Sequence, residues 1–141
     1  MIKKIFIVVI ILVSSLFAGC LSGNTAKASG DNVVLEVKPS EVSVRDGAMT
    51  ELKIRVTNNG KSSVHPNVRF NMNSSDRLYL DFSPESYDIG NLRPGEDSGW
   101  RIVDIKGRLA AGKEIKYQVK AQVIYNGNVL ESKDIVLTVT G

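Results

Sequence analysis

The sequence predicts an all-β fold, an antiparallel β-sandwich of two sheets with about seven strands, over residues 33–141. Three observations lead to this prediction. Apolar and polar residues alternate with a period of two from Val33 onward, turn-forming residues separate the alternating runs, and no run after residue 32 has the period of an amphipathic helix. Each run therefore has one face for a shared core and one face for water.

The alternating runs give the strands in chain order. Within each run the apolar residues lie two positions apart, and most of the residues between them are charged or polar. Pro39 interrupts the first run, and alternation resumes at Val42. The predicted inward positions are Leu35, Val37, Val42, Val44, Leu52, Ile54, Val56, Val68, Phe70, Met72, Leu78, Leu80, Phe82, Ile115, Tyr117, Val119, Ala121, Val123, Ile135, Leu137 and Val139.

The run from Trp100 to Lys106 is less regular than the others. Trp100 and Ile102 are in one phase, whereas Val103 and Ile105 are in the other. A β-bulge near Ile102 or a strand buried on both faces would each explain the change of phase, and the sequence does not choose between them. We predict that Trp100, the only tryptophan, packs in the core.

Turn chemistry separates the runs. Asn58-Asn59-Gly60 follows one strand, and Pro94-Gly95 precedes another. Asn126-Gly127 lies between two long alternating runs, which is a strong hairpin signal, so we predict that the last two strands pair.

The N-terminus has the layout of a secretion signal. Lys3 and Lys4 give a positive start, and residues 5–13 form an unbroken apolar run. The positive end stays on the cytoplasmic side, so the residues that follow are directed outward. Residues 16–20 read LFAGC and resemble the bacterial and archaeal lipobox, in which an apolar residue and two small residues precede a cysteine.

The lipobox resemblance implies that residues 1–20 are a lipoprotein signal peptide and that Cys20 carries a lipid. The protein would then sit on the extracytoplasmic face of the cell membrane, anchored to the bilayer through Cys20. Residues 21–32 are small and polar without periodicity, which predicts a flexible spacer between the anchor and the domain over 33–141.

Two other interpretations of this N-terminal segment stay open. The apolar stretch from Ile5 to Leu21 is just long enough to span a bilayer as an uncleaved anchor helix. An ordinary secretion signal, cut near Ala18, would release the domain without a lipid.

The charge balance argues against nucleic acid as a partner. The chain has 18 Lys and Arg against 15 Asp and Glu, but Lys3 and Lys4 precede every acid, which leaves 16 against 15 after Cys20. A nearly neutral domain lacks the basic stripe that binds a phosphate backbone, so we predict no nucleic-acid partner.

Three segments together resemble the immunoglobulin-like modules of archaeal and bacterial surface proteins, the group that includes CARDB-like and NEW3-like domains. They are residues 56–60 (VTNNG), residues 89–96 (IGNLRPGE) and residues 117–123 (YQVKAQV). The resemblance covers residues 33–141. It implies an immunoglobulin-like β-sandwich in a surface lipoprotein of a prokaryote, with an archaeon as the expected source. It transfers no catalytic residue to this chain.

The sequence contains no recognisable catalytic arrangement. His65 is the only histidine and Cys20 the only cysteine, so neither a multi-histidine nor a multi-cysteine metal site can form. No Gly-x-Ser-x-Gly or glycine-rich phosphate loop is present. We therefore read His65 as a loop residue and predict a chain that is not an enzyme, with no catalytic residue, metal or cofactor.

Two polar patterns could each be ordinary surface residues or a functional site. Asp81, Glu85 and Asp88 are close in sequence, but they lack the dense aspartate spacing of a calcium loop and read as solvated charges. Asn73-Ser74-Ser75 is a sequon in a predicted loop, which makes Asn73 a candidate N-glycosylation site.

These observations predict a non-enzymatic cell-surface lipoprotein whose immunoglobulin-like domain binds a protein or an envelope polymer, or assists an envelope complex. The alternative is an uncleaved, membrane-anchored structural subunit, since a short apolar anchor before an all-β domain resembles the plan of archaeal surface-filament stator subunits. Retention or cleavage at Cys20 separates the two.

Overall fold

The computed structural model describes residues 32–141. The predicted signal peptide with Cys20, and residues 21–31 of the predicted spacer, lie outside the described residues. In the described part of the chain, no helix has the length and hydropathy needed to cross a membrane.

Strands and short loops make up residues 32–141, and a single 3₁₀ turn, Asp76–Leu78, is the helical element of that range. The strands are β1 (Val33–Lys38), β2 (Glu41–Arg45), β3 (Met49–Asn58), β4 (Asn67–Asn71), β5 (Leu80–Ser83), β6 (Ser86–Asp88), β7 (Arg101–Gly107), β8 (Glu114–Tyr125) and β9 (Asn128–Thr140).

The strands form the predicted two-sheet sandwich. Sheet A has four strands in the order β1-β3-β7-β5, and sheet B has five in the order β2-β9-β8-β4-β6. Nine strands exceed the predicted seven, partly because β6 has only three residues and is too short to show alternation. One pair also departs from the antiparallel prediction, since β2 runs parallel to β9.

The chain changes sheets at a proline on each side of the sandwich. It leaves sheet A after Lys38, passes Pro39 and enters sheet B at Glu41. It makes the same crossing at Pro84, between β5 in sheet A and β6 in sheet B. Proline has no N–H to continue a strand ladder, so these positions suit the points where one ladder ends and another begins.

The core lies between the two sheets, where the period-two pattern places it. Nearly all predicted inward residues are buried, and each fully buried Val, Leu, Ile or Phe contributes roughly 1.5–3 kcal/mol. Phe70 of β4 and Phe82 of β5 stack across the two sheets, with ring centroids 4.6 Å apart. Val37 and Ile115 are only partly buried, and Leu78 is exposed because it falls in the 3₁₀ turn.

The predicted hairpin of the last two strands is confirmed. Asn126 and Gly127 connect β8 to β9 with φ values of 49° and 75°, which are the two positive angles that a type I′ turn requires. The register shifts in this hairpin, between Val123 and Ile124.

Neither interpretation offered for the Trp100–Lys106 run is correct. The register of β7 against β3 is regular, with Arg101 opposite Ile54 and Ile102 opposite Lys53. Val103 and Ile105 point into the core, whereas Ile102 is on the outer face of sheet A and 49% exposed. The change of phase in the sequence therefore marks an apolar outer surface and not a bulge.

Candidate functional surface

The outer face of sheet A carries cross-strand rows of large side chains. The register places Glu36 of β1 opposite Arg55 of β3. In the next row it places Lys38 of β1 opposite Lys53 of β3, and Lys53 opposite Ile102 of β7. Three strands thus bring residues from distant parts of the sequence to one surface.

Trp100 lies on this outer face, so the prediction that it packs in the core is wrong. It directly precedes β7 and continues the outward phase of Ile102, and it is 39% exposed. The guanidinium carbon of Arg55 lies 4.7 Å from the indole centroid, and Nζ of Lys38 lies 5.1 Å from it. Such cation–π contacts contribute about 0.5–1 kcal/mol each at exposed sites.

Lys38, Lys53, Trp100 and Ile102 line an open depression of about 370 Å³. We call these four residues together with Arg55 the Trp100 surface. Within residues 32–141, neither lysine forms an ion pair, whereas Arg55 does so with Glu36. The two ammonium groups therefore give the depression a positive charge beside the apolar side chains of Trp100 and Ile102.

The next row along sheet A is acidic. Glu51 of β3 lies opposite Asp104 of β7 in the register, on the same outer face. The positive potential of the Trp100 surface is consequently confined to the depression and does not extend along the whole sheet.

His65 lies in a loop, as predicted, and its partner is a carboxylate. Its Nε2 is 2.8 Å from Oδ1 of Asp88, and both side chains are exposed. The same Oδ1 accepts the N–H of Gly90 at 2.9 Å. The Gly90 N–H and then His65 hold the pKa of Asp88 below its usual value. In the described range no serine hydroxyl hydrogen-bonds to His65, so no Ser-His-Asp arrangement is assembled there.

The structure does not bring Asp81, Glu85 and Asp88 together. Asp81 pairs with Arg108, Glu85 with Arg77, and Asp88 with His65. No group of three or more His, Cys, Asp or Glu side chains that could hold a metal ion occurs in residues 32–141. Each carboxylate is thus part of its own surface pair.

Of the two predicted modification sites, only Asn73 lies in the described range. It is exposed, and its carbonyl oxygen accepts the N–H groups of Asp76 and Arg77 at 3.0 and 3.4 Å. These bonds involve the main chain and leave the side-chain amide uninvolved. Modification of Asn73, like lipidation of Cys20, stays a prediction.

Asn58 is a structural residue whose importance was not recognised from the sequence. Its fully buried side chain donates from Nδ2 to the carbonyl oxygens of Ser62 and Leu92, at 2.8 and 3.0 Å, and Oδ1 accepts the N–H of Gly60 at 2.9 Å. The Asn58 carbonyl also accepts the N–H of Gly95. Asn58 therefore connects the Asn58-Asn59-Gly60 turn with the Pro94-Gly95 turn. In the sequence, the available signal for this role was an asparagine at the end of an apolar strand.

The comparisons with known proteins bear on the fold. No family model matches the chain, and no curated protein matches it. Among solved structures, one similar chain is native α-2-macroglobulin from Escherichia coli, spanning domain MG7 to the C-terminus, at a TM-score of 0.58 and 14% identity over 78% of this chain. The present chain spans only 17% of that structure.

A second similar structure is the CARDB domain of a Pyrococcus furiosus protein in complex with di-metal ions. Its TM-score is 0.53, at 18% identity, and the match covers 79% of this chain and 90% of that domain. At these identities the likeness establishes architecture alone. Residues 33–141 therefore share the two-sheet β-sandwich architecture of that CARDB domain.

Proposed function

We propose that the protein is a non-enzymatic binding module, displayed outside the cell by a lipid on Cys20, and that it binds its partner through the Trp100 surface. The observation that carries the proposal is the exposed indole of Trp100, which two cationic side chains contact on the outer face of sheet A. Large apolar side chains clustered on a surface mark interaction sites, and tryptophan is enriched among residues that dominate binding energy.

The placement of the surface suits a tethered domain. The predicted spacer joins the sandwich where β1 begins, next to the end of β3, with Val33 opposite Asn58. Lys38 is at the other end of β1, ~17 Å along the strand at ~3.3 Å per residue. The Trp100 surface therefore lies along the side of the sandwich, from the middle of β1, where Glu36 faces Arg55, to its far end at Lys38.

The predicted spacer adds freedom to this arrangement. Fully extended, residues 21–32 would span at most ~40 Å. A domain on such a tether can present a side face to a partner in the envelope without a fixed orientation.

Co-sedimentation with the insoluble envelope fraction of the producing cells tests the binding proposal. The full chain, purified in detergent, should pellet with the envelope, and Trp100→Ala should abolish pelleting. Leu78→Ala is the matched control, because Leu78 is exposed and apolar but lies in the 3₁₀ turn. Equal pelleting of wild type and Trp100→Ala would overturn the proposal.

Mass spectrometry of the membrane fraction tests the anchor separately. A mature N-terminus at a lipid-modified Cys20 is the expected result. An intact Met1 with unmodified Cys20 would instead favour the uncleaved structural subunit.

A further inference from the structure

We propose that the ligand of the Trp100 surface is an acidic polysaccharide in which carboxylated sugars alternate with neutral ones, a single carboxylate being bound between Lys38 and Lys53. This inference rests on the proposed function and names the chemistry of its ligand. It is drawn from the register of the strands, the lining of the depression and the charges around it.

The register gives the first argument. Lys38 and Lys53 are directly opposite each other on neighbouring strands, and like charges in that position destabilise a sheet. Lys38 gains some compensation from the indole, whereas within residues 32–141 Lys53 has no ion pair. A carboxylate bound between the two ammonium groups would supply the missing counter-charge and form charge-assisted hydrogen bonds with both.

The apolar lining gives the second argument. Trp100 and Ile102 lie beside the two lysines and remain 39% and 49% exposed. The C–H groups of a sugar ring are a flat apolar surface that packs against such side chains, while its carboxylate reaches the lysines. A volume of about 370 Å³ lies at the small end of ligand sites and suits one or two sugar rings.

The pairing of β3 leaves no free strand edge at Lys53 to which an acidic peptide could add. An extended peptide binds a sheet by adding a strand to a free edge. Lys53 lies on β3, which pairs with β1 on one side and β7 on the other, so its main chain is already engaged. Lys38 lies on β1, the edge strand of sheet A, so it is at Lys53 that a ligand has side chains alone to contact.

The surrounding charges argue against a bilayer and against a uniformly charged polymer. A flat anionic surface would meet Glu51 and Asp104 in the row next to the depression. A polymer with a charge on every unit would meet the same two carboxylates. In a polymer whose charged sugars are separated by neutral ones, one carboxylate can contact the lysines while a neutral sugar lies next to Glu51 and Asp104.

The arginine beside the depression is already engaged, which leaves the two lysines as the cations for a bound anion. Arg55, whose guanidinium contacts the indole of Trp100, has Nε and Nη2 engaged by Glu36 at 3.0 and 2.6 Å. The lysines line the depression on two paired strands, so no helix N-terminus contributes to it. The two ammonium groups are therefore the point charges that a carboxylate of the ligand would contact.

Trp100 is the only tryptophan of the chain, so its fluorescence reports directly on this surface. The experiment titrates the detergent-solubilised full chain with a hyaluronan hexasaccharide, in which glucuronate alternates with a neutral sugar. We expect a saturable change of emission with this probe and none with the neutral chitin hexasaccharide.

Variants locate the bound carboxylate. Lys53→Ala should weaken hexasaccharide binding about tenfold, the loss expected for one charge-assisted hydrogen bond. Lys106→Ala should leave the affinity unchanged, because Lys106 lies on the same strand as Ile102 but opposite Met49. Calorimetry of Trp100→Ala should detect no binding.

Several outcomes would overturn the ligand assignment. They are the absence of saturable binding of the hexasaccharide, equal binding of the neutral hexasaccharide, tighter binding of poly-glutamate or of anionic lipid vesicles, and no effect of Lys53→Ala. If the hexasaccharide fails while Trp100→Ala still abolishes envelope pelleting, the ligand class is wrong and the proposed function stands. If Trp100→Ala does not affect pelleting, the proposed function itself fails.

Discussion

The guanidinium of Arg55 contacts the indole of Trp100, with its central carbon 4.7 Å from the ring centroid. The same guanidinium donates two hydrogen bonds to Oε1 of Glu36. Glu36, Arg55 and Trp100 therefore form one chain of contacts across the outer face of sheet A. These contacts hold the exposed indole in a fixed position, which reduces the conformational entropy that is lost when a partner binds.

The contact between Arg55 and the indole predicts a measurable effect on the exposure of Trp100. Arg55→Ala should raise the acrylamide quenching constant of Trp100 and lower stability by about 1 kcal/mol or less, because the contact is at the surface. Arg69→Ala is the control, since Arg69 is an exposed arginine on sheet B. Unchanged quenching in Arg55→Ala would contradict the fixed position of the ring.

The opposed lysines predict a stabilising substitution. Lys53→Gln removes the like charge that faces Lys38, so the free energy of unfolding should rise by ~0.2–1 kcal/mol. Urea denaturation measures the change. Lys116→Gln, in which the lysine faces Thr138 on sheet B, should have no comparable effect. A gain that disappears at high salt would identify its electrostatic origin, whereas destabilisation by Lys53→Gln would refute it.

The buried amide of Asn58 predicts a large loss of stability. Asn58→Ala leaves the Ser62 and Leu92 carbonyls and the Gly60 N–H without their partner, and unfolding should become easier by about 3 kcal/mol. The exposed neighbour provides the comparison, because Asn59→Ala should change stability by no more than about 0.5 kcal/mol. Similar denaturation midpoints for the two variants would contradict the role of Asn58.

The contacts of Asp88 predict a pH effect with a defined sign. The Gly90 N–H, and to a smaller extent His65, lower the pKa of Asp88 below 3.8. A group with a lowered pKa contributes stability above its unfolded pKa, and this contribution is lost as the pH falls through the folded value. NMR titration of His65→Ala should show a higher pKa for Asp88 than in the wild type. The Gly90 N–H should still keep the pKa below the ordinary aspartate value, and a pKa equal to that of the wild type would contradict the contact with His65.

The sequence predicted the elements that depend on neighbouring residues. The period-two runs placed most core residues but missed buried loop residues such as Val64, Leu92 and Leu109. The Asn126-Gly127 turn was identified because its backbone conformation depends on those two residues. The parallel pairing of β2 with β9 was not predicted, because it joins residues that are far apart in the sequence and no local pattern encodes it.

The Trp100 surface could not be predicted for a related reason. Trp100 and Ile102 formed one apolar phase, and Val103 and Ile105 the other, so local alternation did not indicate which phase faced the core. Only the pairing of Ile102 with Lys53 and of Lys53 with Lys38 assembles the surface. Its lysines, moreover, are the kind of residue expected on the solvent-facing side of any amphipathic strand.

The central claim is that the protein binds through the Trp100 surface, and the fluorescence of Trp100 in the bound state tests it most directly. Protein retained on the envelope fraction should have a Trp100 that acrylamide quenches at least about twofold less than in the free protein, because the partner covers the indole. Retention of the protein with quenching identical to that of the free state would show that binding occurs elsewhere and would contradict the account.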